Sequence, residues 1–360
     1  MHPFHNPPPH PSAVTDYCRQ LARQISPKDF QEAVGQLAHL KVLIVGDTII
    51  DRYSYLKVQG LTSKNRIISG RYLGDETQCG GALAVLRHVK QFTPHAKFLS
   101  LLGTESWVDP LLAQHLNPAE DLTIRDERFT TVVKQRFVEP LSEGKELTKL
   151  FAVNYLDAHA PESDTLEKVR ARLAEILRQF DAVLLFDFGH GLMQPNIREL
   201  IQNESGFLAL NCQTNSNNFG FNVISRRYRR ADAFALDEQE LMLAAGHRHL
   251  DYPAELENLR CHLSSRYAWL TRGPVQTIGL KQDEAPSLCP PFENDVVDTV
   301  GAGDAFFSVA ALAAARGLPV ALATFLGQLA GAQAVRIVGN SQPISKTVLL
   351  ERGITLLEDC

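Results

Sequence analysis

The chain has 360 residues, 44% of them apolar and 21% charged, with a formal net charge of −5. That length buries a substantial core, as one large domain or one domain with a smaller attachment. The absence of a dominant basic block argues against nucleic acid or an anionic membrane surface as partner, and six scattered cysteines without a Cys-x-x-Cys pair argue against a zinc site or a disulfide framework.

Residues 1–12 are crowded with proline and histidine and read as a disordered tail. Residues 13–39 place Val14, Tyr17, Leu21, Ile25, Phe30, Val34 and Leu37 at helical spacing, broken at Ser26-Pro27. They read as a helical extension of the main fold, placed at a subunit contact. Lys41 to Val45 is a continuous aliphatic run, hence a buried strand. It leads into Gly46-Asp47 and Asp51-Arg52-Tyr53. Two carboxylates just past a central strand stand where open α/β sheets bind ligands, and can hold the hydroxyls of a polyol; the alternative is a turn aspartate and a surface ion pair.

Residues 54–78 read as short strands, and Cys79-Gly80-Gly81-Ala82 opens an apolar helix. The glycine pair permits close approach of a ligand, or simply a tight strand–helix junction. Phe98 to Leu102 is a buried strand. Thr130 to Val138 is another, and period two puts Lys134 and Arg136 on one face. Two cations on one face suit a phosphate, unless the face is merely solvated. The strands at 52–76 and 128–153 stand outside any β–α alternation and form a small separate sheet, a lid.

From about residue 160 strands and helices alternate. Asp164-x-x-Glu167 has the spacing of a capping box ahead of a helix. Ala182 to Phe188 is a buried strand running into the turn Asp187-Phe188-Gly189-His190-Gly191. Phe207 to Leu210 leads into a polar loop, Asn211 to Asn218, whose Asn211 and Gln213 amides can order a nucleotide or lie as surface filler. Further strands precede Asp237-Glu238-Gln239-Glu240 and Thr271-Arg272-Gly273. A final helix spans Val320 to Val338. This order predicts an α/β fold, a doubly wound and mainly parallel sheet with helices on both faces, plus the small β-sheet lid. The Gly- and Asp-bearing loops gather at one edge of such a sheet.

The stretch Asp298-Thr299-Val300-Gly301-Ala302-Gly303-Asp304-Ala305-Phe306-Phe307 carries the chemistry. Gly301, Ala302 and Gly303 free backbone N–H groups at a helix start, where the dipole favours an anion. Asp304 beside that anion hole suits a base that removes a proton from an alcohol attacking a phosphate. A plain tight turn with Asp304 as a cap is the alternative. The longest apolar stretch, Ala305 to Ala315, is too short to span a bilayer, and the first residues show no charged-then-apolar signal pattern. A cytoplasmic protein is the expectation.

Over residues 40–345 the chain resembles the ribokinase-like (PfkB) carbohydrate kinases. The stretch around Asp304 resembles the C-terminal signature of that family, and Gly80-Gly81-Ala82 its N-terminal one. Val45-Gly46-Asp47 with Asp51-Arg52-Tyr53, the Thr131/Lys134/Arg136 strand and the turn at Asp187 are similar to the heptose 7-phosphate kinase branch. Gln213-Thr214-Asn215-Ser216 followed by Gly220-Phe221-Asn222 is similar to kinase halves fused to a cytidylyltransferase-like domain, although no His-x-Gly-His motif is present.

The resemblance implies one kinase domain over residues 40–360, phosphorylating the anomeric hydroxyl of a heptose 7-phosphate-like sugar with ATP and Mg²⁺, with a monovalent cation beside the triphosphate. It makes Asp304 the base and Gly301, Ala302 and Gly303 the anion hole. Asp47, Asp51, Gly80 and Gly81 would hold sugar hydroxyls, and Lys134 and Arg136 the sugar phosphate. Asn211, Gln213, Thr271, Gly273, Asp298 and Thr299 would line the nucleotide site, and Glu240 would hold Mg²⁺ through water. It also implies a homodimer built through the lid. The chain departs from the family pattern at Ala84, His190, Asn211, Gln213 and Asp237. A catalytically quiet binding subunit, or a nucleoside or vitamin kinase of the same fold, are the rival readings.

Overall fold

The computed structural model describes residues 11–140, 147–157 and 159–359. The chain opens with helices α1 (Pro11–Ala22) and α2 (Pro27–Gln36). Helix α1 starts at Pro11, two residues inside the expected tail, the rest of which lies outside the described residues. Ser26 and Asp29 form a reciprocal capping box that starts α2 after the break at Ser26-Pro27. Strand β1 (Val42–Gly46) follows, then β2 (Thr48–Leu61) and β3 (Ile68–Gly80), a hairpin of two long strands where several short ones were expected. Register slips at Tyr55/Leu56 and Val58/Gly60 bend it.

Helix α3 (Gly81–Val89) returns the chain to β4 (Ala96–Leu99). The single strand expected over 98–102 breaks after Leu99. Its end, β5 (Leu101–Leu102), pairs instead with β6 (Ile124–Arg125), on the far side of the short α4 (Val108–Leu112). Strands β7 (Val132–Glu139) and β8 (Thr148–Tyr155) precede α5 (Ser163–Ile176), β9 (Ala182–Asp187) and α6 (Pro195–Glu204). The capping box expected at Asp164 does not form. Glu162 is the N-cap without a side-chain bond, and the Asp164 carboxylate accepts from Arg128 instead.

Strand β10 (Leu208–Cys212) leads through α7 (Ile224–Arg227) to β11 (Ala233–Asp237), α8 (Glu238–Ala245) and α9 (Tyr252–His262). Strands β12 (Tyr267–Thr271), β13 (Thr277–Lys281) and β14 (Ser287–Cys289) close the sheet. Helices α10 (Ala302–Ala315), α11 (Val320–Ala334) and α12 (Lys346–Glu358) end the chain. The helix expected to Val338 stops at Ala334, and the Ser345-capped α12 is an addition.

The large sheet runs β14-β13-β12-β11-β10-β9-β1-β4. The six strands from β12 to β4 are parallel, and β13 and β14 are antiparallel at one edge. Alternation explains its two-sided core: Val42 and Ile44 of β1 face the layer of α2, α3, α10 and α11, while Leu43 and Val45 face that of α5, α6 and α9. Strand order reverses at β1, which lies between β4 and β9 although the chain visits β4 first. The C-terminal ends of β1 and β9 are therefore the switch point where open α/β sheets bind ligands.

The lid is the sheet β3-β2-β7-β8, with β2 and β7 parallel. Its outward face leaves Leu61, Ile68, Tyr72, Phe151 and Tyr155 exposed. The N-terminal extension, expected at a subunit contact, packs on its own chain. Phe30 stacks edge-on against Phe325 of α11, and a Cβ on Gly353 of α12 would lie 2.4 Å from the Phe30 ring, so α12 admits that ring only because residue 353 is glycine.

Candidate functional site

The site assembles at the C-terminal edge of the sheet from β1 to β12. Asp47 follows β1 and is buried; its Oδ2 accepts the backbone N–H groups of Phe188 at 3.0 Å and His190 at 3.2 Å. It thereby shapes the turn after β9. Burial, reinforced by Asp187, raises its pKa to about 7. Asp187 is itself buried, beneath Tyr228 Oη at 2.8 Å and the Gly189 N–H at 2.9 Å.

Asp51 lies within β2, part of the lid, and not in a loop after β1. Its Oδ1 pairs with Arg136 and its Oδ2 accepts Asn340 Nδ2 at 3.2 Å. Arg136, expected at a phosphate, is thus neutralised by Asp51 and lies over the Tyr53 ring. Lys134 is different. Among the described residues its side chain has no hydrogen bond and no ion pair, while its backbone lies in the β7 ladder. Burial lowers its pKa, opposed by the negative charges of Asp51, Asp47 and Asp304. A desolvated, unpaired ammonium between carboxylates is a ready anion or hydroxyl donor.

The glycine pair at the start of α3 serves the carboxylates. A Cβ on Gly80 would lie 2.0 Å from Asp51 Oδ2. Gly81 has φ +57°, and a Cβ there would lie 2.5 Å from the Asp47 carbonyl oxygen. Only glycine lets the two acid-bearing segments come this close.

Helix α10 presents its N-terminus to the same space. Gly301 is the N-cap at φ +81°, with Asn340 Oδ1 only 2.5 Å from where a Cβ would stand. Gly303 is exposed and has open space before it. The first-turn N–H groups of a helix have no partner four residues back, so this end attracts an anion. Asp304 is buried, and its Oδ1 accepts Gln213 Nε2 at 2.6 Å. Burial raises its pKa to about 7, with Gln213 and Lys134 pulling down and Asp51 pushing up.

Asp298, expected beside the triphosphate, is fully buried and engaged on both oxygens. Oδ1 accepts the Val300 N–H and Lys149 Nζ, and Oδ2 accepts Tyr53 Oη and the Gly339 N–H. It braces the loop that Thr299, which is exposed, presents outward. Asn211 stands inside β10, which runs two residues past its expected end at Leu210, and donates Nδ2 to the Ala235 carbonyl. Gln213 and Thr214 then tie two carboxylates together: Gln213 reaches Asp304, and the Thr214 N–H donates to Glu240 Oε1 at 3.1 Å.

Glu240 also accepts the Asp237 N–H, in a reciprocal capping box that starts α8. Burial, then Asp237 and Asp304, raise its pKa to about 8. Thr271 ends β12 directly across from Asp237. Gly273, at φ +49°, turns the chain toward β13 with open space around it. His190 faces Lys134, its Nε2 buried and unpartnered. Ala84 is buried within α3.

Four residues outside the sequence expectations complete the frame. Tyr53 binds Asp298. Asn340 binds Asp51, and its backbone N–H donates to Gln78 Oε1 at 2.6 Å. Arg87 Nη1 donates to the Asn340 carbonyl at 2.6 Å. Of these, Tyr53 stands in the Asp51-Arg52-Tyr53 stretch, and Asn340 in Gly339-Asn340-Ser341, a polar stop after a long apolar helix.

Comparison with known proteins bears on the sequence family and the fold. Residues 206–347 match the model of the pfkB family carbohydrate kinases. The chain is 26% identical over 321 residues to the bifunctional protein HldE of Koribacter versatilis, covering 86% of this chain and 62% of that protein. It is 26% identical over 309 residues to the HldE of Actinobacillus pleuropneumoniae, covering 84% and 61%. The chain thus spans less than two thirds of these relatives. Phosphofructokinase-2 from Escherichia coli, solved with substrates and products, superposes with a TM-score of 0.69 at 14% identity over 88% of this chain and 98% of that one. Ribokinase from Arabidopsis thaliana, complexed with ribose and ATP, gives 0.64 at 17% identity over 89% and 99%. Both share the mainly parallel α/β fold. Residues 206–347 thus carry the match to the pfkB family of carbohydrate kinases, and the chain over most of its length is similar to HldE proteins and shares the fold of sugar kinases.

Proposed function

We propose that the chain uses ATP and Mg²⁺ to phosphorylate a sugar or sugar phosphate, with the anomeric hydroxyl of a heptose 7-phosphate-like substrate as acceptor. One observation carries this reading: a buried carboxylate of raised proton affinity, Asp304, stands in the first turn of α10 beside an open glycine nest. Such a group takes a proton from a hydroxyl as the oxygen attacks phosphorus. The nest stabilises charge on the transferring phosphoryl group. The heptose assignment rests on the resemblance around Asp47, Asp51 and the Lys134 strand, and on the similarity to HldE proteins.

Each part of the edge has a role in this reading. Asp51 and Asn340, fixed by Arg136 and Gln78, orient sugar hydroxyls. Lys134 receives the negative charge of a sugar phosphate. Thr271, Gly273 and Thr299 border the nucleotide, with Asn211 and Asp298 supporting from beneath. The described residues hold no cluster of three or more His, Cys, Asp or Glu of the kind that cages a metal. This fits Mg²⁺, which is bound by one or two carboxylates plus phosphates and water. Glu240, a half-buried carboxylate of raised proton affinity that gains from a nearby cation, would hold it through water. When bound, Mg²⁺ neutralises charge on the nucleotide phosphates.

The lid carries the dimer. Its exposed row of Tyr72, Phe151 and Tyr155 is apolar enough to pair with a second copy. Phe151→Glu should then give a monomer by sedimentation, and an unchanged mass would reject that interface. No helix among the described residues is long and apolar enough to cross a membrane, and we place the protein in the cytoplasm. The function is tested by ADP release with a panel of heptose and hexose phosphates. Turnover with phosphorylated sugars supports it, and nucleotide binding without turnover on any sugar would favour a quiet binding subunit.

A further inference from the structure

Between the two ends of the site stands one side chain that touches the base itself. Gln213 Nε2 lies 2.6 Å from Asp304 Oδ1, while Asp304 Oδ2 accepts no hydrogen bond among the described residues. The Gln213 main chain is pinned independently of that contact. Its N–H donates to the Asp187 carbonyl at 2.9 Å, and its carbonyl accepts Asn222 Nδ2 at 2.9 Å. Asn222 is buried and also donates to the Asp187 carbonyl at 3.0 Å, so the base of the loop is clamped to the end of β9. A side chain on a clamped backbone delivers its amide to one place.

We infer that Gln213 is a positioning residue for Asp304: its amide holds Oδ1 and leaves Oδ2 as the oxygen presented to the acceptor hydroxyl. The inference rests on the reading of Asp304 as the base. A carboxylate free to rotate presents either oxygen at varying angles, and misorientation at a reacting atom is costly in rate. Holding one oxygen with a neutral donor fixes the other without forming an ion pair. A salt bridge at the same place would depress the basicity that proton abstraction requires. The donor also moderates the effect of burial, because it favours the ionised form. The other charges facing Asp304 are Lys134 and Asp51 from the lid and Glu240 from α8. None of these makes a hydrogen bond to it, so the amide alone sets its orientation.

Among the described residues the Gln213 side chain has no other hydrogen bond, so its loss leaves the loop clamp intact. Gln213→Leu keeps the size and removes the donor. Gln213→Lys restores a donor and adds charge. The test titrates full-length protein carrying 13C-carboxyl aspartate, with the Asp304 signal identified by its loss in Asp304→Asn. The inference predicts that Gln213→Leu moves the Asp304 midpoint up by about one pH unit and that Gln213→Lys moves it below wild type. In kinetics, Gln213→Leu should shift the acidic limb of kcat by the same amount. It should also lower the plateau of kcat about tenfold, with KM for ATP unchanged within about threefold and the melting temperature unmoved at pH 4, where the carboxyl is protonated. A merely structural glutamine would lower the melting temperature at pH 4 as well and leave the midpoint where it was. An unmoved Asp304 midpoint in Gln213→Leu overturns the inference whether or not the protein turns over any sugar. A moved midpoint in a protein that phosphorylates nothing upholds the contact and defeats the kinase reading.

Discussion

Lys149 Nζ lies 2.8 Å from Asp298 Oδ1, joining a lid strand to the loop that ends in the α10 N-terminus. Tyr53, from the other arm of the lid, reaches the second oxygen of the same carboxylate at 2.9 Å. The Leu147 N–H adds a main-chain bond to the Val297 carbonyl. The lid and the anion-binding loop are therefore one mechanical unit, with a fully buried carboxylate as its pin. Asp298→Ala should cost about 3 kcal/mol, because it strands donors from three segments at once. Lys149→Ala removes only a half-exposed partner and should cost about 1 kcal/mol or less. Urea denaturation of both variants checks the ranking; equal losses would mean that the carboxylate is not the pin.

Glycines at the two helix starts separate folding from function. At Gly81 an alanine meets both a positive φ and the Asp47 carbonyl oxygen 2.5 Å away, so Gly81→Ala should destabilise by about 3 kcal/mol. Gly303 has open space in front of it, so Gly303→Ala should fold with nearly unchanged stability. A methyl group there nevertheless intrudes on the proposed phosphoryl site and should lower kcat/KM about tenfold or more. Melting curves and steady-state rates on the same preparations test the contrast.

The two lid cations are not equivalent. Arg136 is committed to Asp51 and stacked on Tyr53, whereas Lys134 is unpaired. Lys134→Ala should raise KM for a phosphorylated sugar at least tenfold more than for its unphosphorylated form. Arg136→Ala should weaken both forms alike and lower stability, since it leaves Asp51 buried and unpaired. Equal effects of Lys134→Ala on the two substrates would remove the phosphate role.

The pH dependence has a definite sign. Asp304 must be ionised to accept a proton, so kcat should rise with pH through a midpoint near 7 and then level. Stability runs the other way. A carboxyl whose folded pKa is raised contributes stability that is fully present below the ordinary carboxylate range and lost as pH rises through about 7. Asp304→Asn should accordingly raise the melting temperature by roughly 2–4 °C at pH 8 and leave it unchanged at pH 4. Calorimetry at the two pH values checks this, and an equal shift at both would show that the carboxyl is not strained by burial.

The parallel sheet was legible because its strands are continuous aliphatic runs and its crossovers have helical spacing. The helix start at Gly301-Ala302-Gly303-Asp304 was legible because glycines punctuate the chain just before an apolar helical run. The roles of Arg136 and Asp298 were not, because each depends on a partner far along the chain: Asp51 is 85 residues from Arg136, and Tyr53 is 245 from Asp298. Asn340 was missed for the same reason. It acts through residues of β2, β3 and α3 that only the fold brings near. The glycine pair was found, with ligand approach and a tight strand–helix junction as its two readings, and the structure shows a tight junction. Gly80 and Gly81 make room for the protein's own aspartates, a relation that no local pattern encodes. The capping box predicted at Asp164 failed because Arg128 claims that carboxylate, while Ser26 and Asp237 make theirs where no long-range partner competes.

The central claim is that Asp304 is the base of a sugar-phosphorylating site. The most direct measurement compares ADP release by wild type and Asp304→Asn across heptose and hexose phosphates, with nucleotide and sugar binding measured in parallel. The account predicts turnover by the wild type on a phosphorylated sugar and a loss of about 10² or more in kcat for Asp304→Asn, with both ligands still bound. Near-normal turnover by Asp304→Asn would contradict it.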